Sequence, residues 1–240
     1  MYAHEIKIAS GSDQLPAYEA VPEQGGPFPV VLVVQEIFGV NDHIKDICRR
    51  LANEGYFAIA LDLFARQGDV SKMTNIQEVL HKIAPNVSDE QVLADLDASV
   101  EYARASGKGD VERLGITGFC WGGRIVWLYA AHQSQLHAAA AWYGRLTTGF
   151  QKGGKQPIDV AAELKAPVLG LYGGKDQSIP MADVERMRKA IQRAGKIGEI
   201  VVYPDAGHAF NADYRPSYHE ASSKDAWAKM LAWFKTYGVV

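Results

Sequence analysis

A chain of 240 residues with 48% hydrophobic and 22% charged side chains matches ordinary globular domains and can close a core without metals or disulfides, which excludes disorder and coiled coil. The 25 Lys and Arg against 28 Asp and Glu leave a net charge of -3, too little positive charge for a nucleic-acid binder, and no apolar run reaches the ~20 residues of a membrane span. Nucleic acid and membrane are therefore not expected partners, and two cysteines with no basic and apolar leader after Met1 point to a cytoplasmic protein, expected as a monomer or weak homodimer.

In chain order, Glu5 to Ala9 and Leu15 to Ala20 read as two edge strands. Pro29 to Val34 is apolar on both faces, as a strand covered by helices on both sides must be. Asp42 is placed to cap a helix to about Asn53, with Ile44, Ile47 and Leu51 on one face and Gly55 beyond its end; Phe57 to Leu61 is the next strand. Residues 65 to 87 are polar and irregular, a candidate pocket wall with a short helix from Asn75 to Ile83 that Pro85 ends. Ser88 to Gln91 matches a capping box, and Val92, Leu96, Val100 and Ala103 follow at helical spacing. Strands are expected at Arg113 to Thr117, Ala138 to Trp142, Val168 to Tyr172 and Glu199 to Tyr203. Helices are expected at Trp121 to His132, Ala182 to Ala194 and about Tyr218 to Lys235, the last burying Trp227, Leu231 and Phe234. With no linker or repeat, residues 1–240 read as a single doubly wound α/β domain, a mostly parallel sheet with helices on both faces.

The sharpest motif is Gly118-Phe119-Cys120-Trp121-Gly122-Gly123, between an expected strand and an expected helix. It has the form of a nucleophile elbow with Cys in place of Ser, where flanking glycines admit close backbone and the helix N-terminus favours thiolate. Asp176 follows a strand 56 residues later, and His208 follows the last strand 32 residues further on, the nucleophile, acid, histidine order of α/β-hydrolases. Each alone reads as an ordinary loop residue; the three at successive strand ends read as a triad.

Together with Gln35-Glu36-Ile37-Phe38-Gly39, Asp62-Leu63-Phe64-Ala65-Arg66 and Ala206-Gly207-His208-Ala209-Phe210, that elbow makes the chain resemble the dienelactone hydrolase family along nearly its whole length. The resemblance implies an α/β-hydrolase fold, a carboxymethylenebutenolidase-like ester hydrolase and a triad of Cys120, His208 and Asp176. It also implies an oxyanion hole from the amides of Ile37 and Trp121, and a Glu36 that holds the resting thiol until substrate displaces it. Two arginines hold the substrate carboxylate in the family's best-known member, one after the third strand and one just past the histidine. Here Asn75 to Pro85 contains no Arg and Ala209 to Ala212 follow His208, so Arg66, Arg145 or Arg215 is left to supply an anion site. Phe38, Trp121 and Phe210 are expected to crowd the nucleophile and favour small acyl groups.

The expected function is cofactor-independent hydrolysis of a lactone or activated ester through an acyl-cysteine. The alternatives are a non-catalytic ligand-binding protein of the same fold and a glutamine amidotransferase-like Cys enzyme, whose His-x-Glu pair is missing. The histidines have no paired metal spacing, so no metal is expected. Gly149 to Lys155 fits a phosphate-binding loop up to its Lys, but Gln156 stands where Ser or Thr is required, and the segment reads as a surface turn. Cys48, beside Ile47 and Leu51, reads as structural.

Overall fold

In the computed structural model, which describes residues 1–70, 73, 75–149 and 154–240, the chain opens with an antiparallel hairpin, β1 (Tyr2–Ser10) and β2 (Asp13–Val21). Only β1 is an edge. β2 is enclosed, pairing antiparallel with β4 (Phe57–Leu61), and Leu15 and Ala17 to Val21 are buried. β3 (Phe28–Val34) lies between β4 and β5 (Gly109–Phe119), parallel to both. β6 (Leu136–Trp142), β7 (Val168–Gly173) and β8 (Gly198–Tyr203) extend the parallel run, giving the eight-stranded order β1-β2-β4-β3-β5-β6-β7-β8. β5 begins earlier than its apolar pattern suggests, because register shifts opposite Pro29/Val30 and at Leu114/Gly115 let polar residues join the ladder.

Helix α1 (Asp42–Asn53) is capped by Asn41 rather than Asp42: the Asn41 side chain accepts from the Ile44 amide at 3.1 Å, which puts Asp42 in the first turn. Between β4 and the next long helix stand α2 (Ile76–Glu78), a π turn (Val79–Ile83) and a 3-10 turn (Ala84–Asn86) that contains Pro85, in place of one short helix that Pro85 ends. Residues 71, 72 and 74 of this expected pocket wall lie outside the described residues. In α3 (Asp89–Ala105) the expected capping box does not form, because Gln91 turns forward and donates to Asp95 at 3.1 Å. Helix α4 (Trp121–His132) is buried from Trp121 to Ala131, so it has no polar face. The small side chains of Ala138 to Ala141 on β6 let it approach the sheet closely.

Helices α5 (Met181–Arg193) and α6 (Glu220–Thr236) follow β7 and β8. On α6, Trp227, Met230 and Phe234 are buried, while Leu231 is only partly covered. Arg50 of α1 stacks on Trp227 at 3.8 Å, tying α1 to α6, while α3 and α4 pack together. The topology is an α/β-hydrolase fold, a mostly parallel sheet with covering helices. It brings the carboxyl ends of β3 to β8 to one rim, the usual site of function in open α/β sheets. No described helix is long and apolar enough to cross a membrane.

Candidate active site

β5 ends at Phe119 and α4 starts at Trp121, so Cys120 alone makes the turn, with φ 54° and ψ -110°. Such a conformation costs an L-residue on the order of 1–3 kcal/mol and persists only where the surroundings enforce it. Here the close approach of α4 enforces it: a Cβ on Gly122 would lie 2.4 Å from the Gln35 carbonyl oxygen and one on Gly118 2.6 Å from that of Gly122. The Cys120 amide donates to Trp142 O at 3.0 Å, fixing the turn to β6. Trp121, as the first helical residue, has an amide with no partner inside α4, and its ring packs on Phe64 at 4.7 Å.

The loops after β7 and β8 are joined by backbone bonds, from Gly174 N to Tyr203 O (2.7 Å) and from Lys175 N to Ala206 O (2.9 Å). They bring Asp176 beside His208. The three sequence-identified residues form one chain: Cys120 Sγ lies 3.2 Å from His208 Nε2, and His208 Nδ1 donates to Asp176 Oδ2 at 2.7 Å. Asp176 Oδ1 accepts from both the amide and the hydroxyl of Ser178, each at 2.7 Å. Burial would raise the Asp176 carboxyl, but the bond and charge of His208 and the two Ser178 bonds outweigh it and hold it below the usual range. Burial would likewise lower His208, yet the Cys120 sulfur and the Asp176 carboxylate push it up to about 10. The arrangement places an imidazolium between the Cys120 sulfur and the Asp176 carboxylate.

Glu36 follows β3 and is buried, but no hydrogen bond joins it to Cys120. Its Oε2 accepts from Tyr214 Oη at 3.0 Å, and its Oε1 has no partner. The expectation that Glu36 holds the resting thiol is thus not what the structure presents: Tyr214 occupies the carboxylate and His208 the sulfur. Ile37, buried, follows directly. Phe38 is partly covered, with the Arg215 guanidinium 5.1 Å from its ring centroid and 5.6 Å from that of Tyr214.

Two expected substrate contacts have other work. Arg66 binds Asp95 through two nitrogens (2.6 and 3.1 Å) and Asp13 through a third (2.7 Å), neutralising a buried carboxylate rather than facing the thiol. Phe210 is fully buried against Trp142, Tyr143 and Tyr203, so it supports the His208 loop from within. Arg145 is half-buried just beyond β6. Of the expected 149–155 turn, 150–153 lie outside the described residues; Gln156 instead caps the 3-10 turn Pro157–Glu163, its side chain accepting from Arg124 Nε at 3.1 Å.

Three neighbours escaped the sequence reading. Ser178 had a local signal, a hydroxyl two residues past a loop Asp, where it closes a side-chain turn. Tyr143 follows β6, the strand beside that of Cys120, and only topology makes that position significant. Tyr214 reaches Glu36 across 178 residues, and nothing local announces it.

The model of the dienelactone hydrolase family matches residues 15–238. The chain belongs to the dienelactone hydrolase family. A Methylorubrum extorquens relative provisionally named carboxymethylenebutenolidase is 58% identical over all of this chain and 82% of its own length. One from Escherichia coli K12 with the same provisional name is 60% identical over 96% of this chain and 86% of its own. The crystal structure of a Klebsiella pneumoniae protein provisionally named dienelactone hydrolase superposes with a TM-score of 0.95 at 56% identity, covering 98% of this chain and 99% of that one. This dienelactone hydrolase family member is thus a hydrolase acting on small molecules, with the family's α/β-hydrolase fold.

Proposed function

We propose that the hydrolase cleaves small lactones or activated carboxylic esters through a Cys120, His208, Asp176 triad and an acyl-cysteine, within one domain spanning residues 1–240 and without a cofactor. One observation carries this reading: the 3.2 and 2.7 Å links that join sulfur, imidazole and carboxylate at a strained strand-to-helix turn. Cys120 attacks the carbonyl as thiolate, and the amides of Trp121 and Ile37 receive the oxyanion. His208 gives its Nε2 proton to the leaving oxygen, then takes one from the water that attacks the thioester. Asp176, fixed by Ser178, keeps the Nδ1 proton in place. Phe38, stacked under Arg215, together with Trp121 favours short acyl groups.

Intact-mass spectrometry after brief mixing with p-nitrophenyl acetate tests it. An acetyl adduct on Cys120, absent from Cys120→Ala together with turnover, is the expected outcome. Undiminished hydrolysis by Cys120→Ala sinks the triad; saturable ester binding without any turnover by the intact protein returns the chain to the ligand-binding reading.

A further inference from the structure

Among the described residues, Tyr143 is the largest polar side chain at this rim without a hydrogen-bond partner. It is fully buried, and its hydroxyl is among the few unpartnered buried side-chain atoms, with Glu36 Oε1. Leaving such a donor unsatisfied costs about 1–3 kcal/mol, so a group must meet it at some stage for the residue to repay its place. Its backbone is held at φ 39°, with its amide donating to Leu171 O at 2.8 Å. That is a second strained residue one strand over from Cys120. Its ring is clamped by Phe210 (5.3 Å, edge-on) and Phe119 (6.2 Å).

The orientation is set by His208: the Tyr143 ring stands edge-on to the imidazole, with centroids 5.3 Å apart. Tyr143 therefore neighbours the imidazole whose Nε2 meets Cys120, with its hydroxyl in electrostatic reach of Cys120 and Glu36. The phenol also stays protonated, since burial, then Glu36 and Cys120, raise it well above its ordinary value. It is a fixed, neutral donor in a site otherwise rich in acceptors.

We infer that Tyr143 is a further catalytic residue, whose hydroxyl donates a hydrogen bond to the leaving oxygen of the substrate as the thioester forms. The step balances within the thiol mechanism proposed above, on which it rests. The Sγ–C bond forms as the carbonyl π pair moves to oxygen. That pair returns as the bond to the leaving oxygen breaks, and this oxygen takes the Nε2 proton of His208. Tyr143 keeps its own proton and stabilises the charge in transit.

The test is Tyr143→Phe, which keeps the ring contacts and removes a hydroxyl that has no partner, so the fold stands. Wild type and variant are compared on acetate esters of graded leaving group, from p-nitrophenyl to trifluoroethyl, reading kcat/KM. The expected result is a loss of about 10- to 100-fold for trifluoroethyl acetate, the scale of one donor to a charged oxygen, and less than about threefold for p-nitrophenyl acetate, whose leaving group needs no help. A parallel fall across the series, or no fall, overturns the inference. If both proteins still acetylate on Cys120 in that case, the triad stands and only the role of Tyr143 fails. If wild type itself forms no adduct, the thiol reading fails and takes this inference with it.

Discussion

At the scale of single residues, the chain holds two thiols in opposite surroundings. Cys48 is fully buried on α1, and burial pushes its thiol far up, whereas Cys120 is partly open and faces an imidazolium. Iodoacetamide at neutral pH is expected to alkylate Cys120 with loss of activity in proportion, and peptide mapping should find Cys48 unmodified until the protein unfolds. His208 supplies the pH dependence. Its folded value of about 10 lies above the ordinary 6.5, so the stability it contributes is complete below about pH 6.5 and is lost as pH rises through about 10. Asp176 works in the other direction: its carboxyl is lowered, so its contribution is present above the ordinary carboxylate range and lost as pH falls through the folded value. kcat/KM should accordingly decline above about pH 10. In Cys120→Ala, where the sulfur no longer pushes upward, an NMR titration should find the His208 imidazole nearer its ordinary range; an unmoved midpoint would contradict the ion-pair account.

At the scale of elements, the ties that hold the rim are long-range and partly ionic. Arg66, just past β4, clamps Asp95 of α3, which also accepts from Ser10 at the hairpin end (2.5 Å). Three elements thus meet on one buried carboxylate. Arg66→Ala is expected to destabilise by about 3 kcal/mol, because it leaves that charge without its cation while Ser10 and Gln91 remain. For a domain of this size the melting temperature should fall by roughly 6–12 °C. KM should stay within about twofold of wild type; a large rise in KM with an unchanged melting temperature would restore the substrate-anchor expectation.

The same pairing explains what the sequence could and could not disclose. Strand β4 and helix α4 occupy the residues that periodicity marked, because apolar burial is a local property of the chain. The meeting of Cys120, Asp176 and His208 was legible because each stands one to five residues beyond the end of a parallel strand, and a parallel sheet sends such positions to one rim. Arg66 and Phe210 were misread since their partners, Asp95 and the Trp142, Tyr143, Tyr203 cluster, lie far along the chain. The cap at Asn41 and the missing box at Ser88 turn on competition between adjacent polar side chains, which depends on how the chain enters each helix.

At the scale of the whole molecule, the order of strands distributes the rim unevenly. Cys120 follows β5, paired on both sides in the middle of the sheet, while His208 follows β8, which pairs with β7 alone and leaves Glu199, Val201 and Val202 less than fully covered. Margins of a sheet open at lower free energy than its centre. Cys120 is thus anchored in the part of the protein expected to yield last, and His208 in a part expected to yield early. In a urea series, ester hydrolysis should fail at a lower denaturant concentration than far-ultraviolet circular dichroism, with amide exchange in 198–203 outpacing that in 114–118. Coincident transitions would mean that β8 unfolds only with the rest. On the proposed triad, a partly opened chain of this kind would keep its thiol but lose the imidazolium that arms it, so damage at the margin would silence the enzyme before it exposed a reactive sulfur to the wrong electrophile.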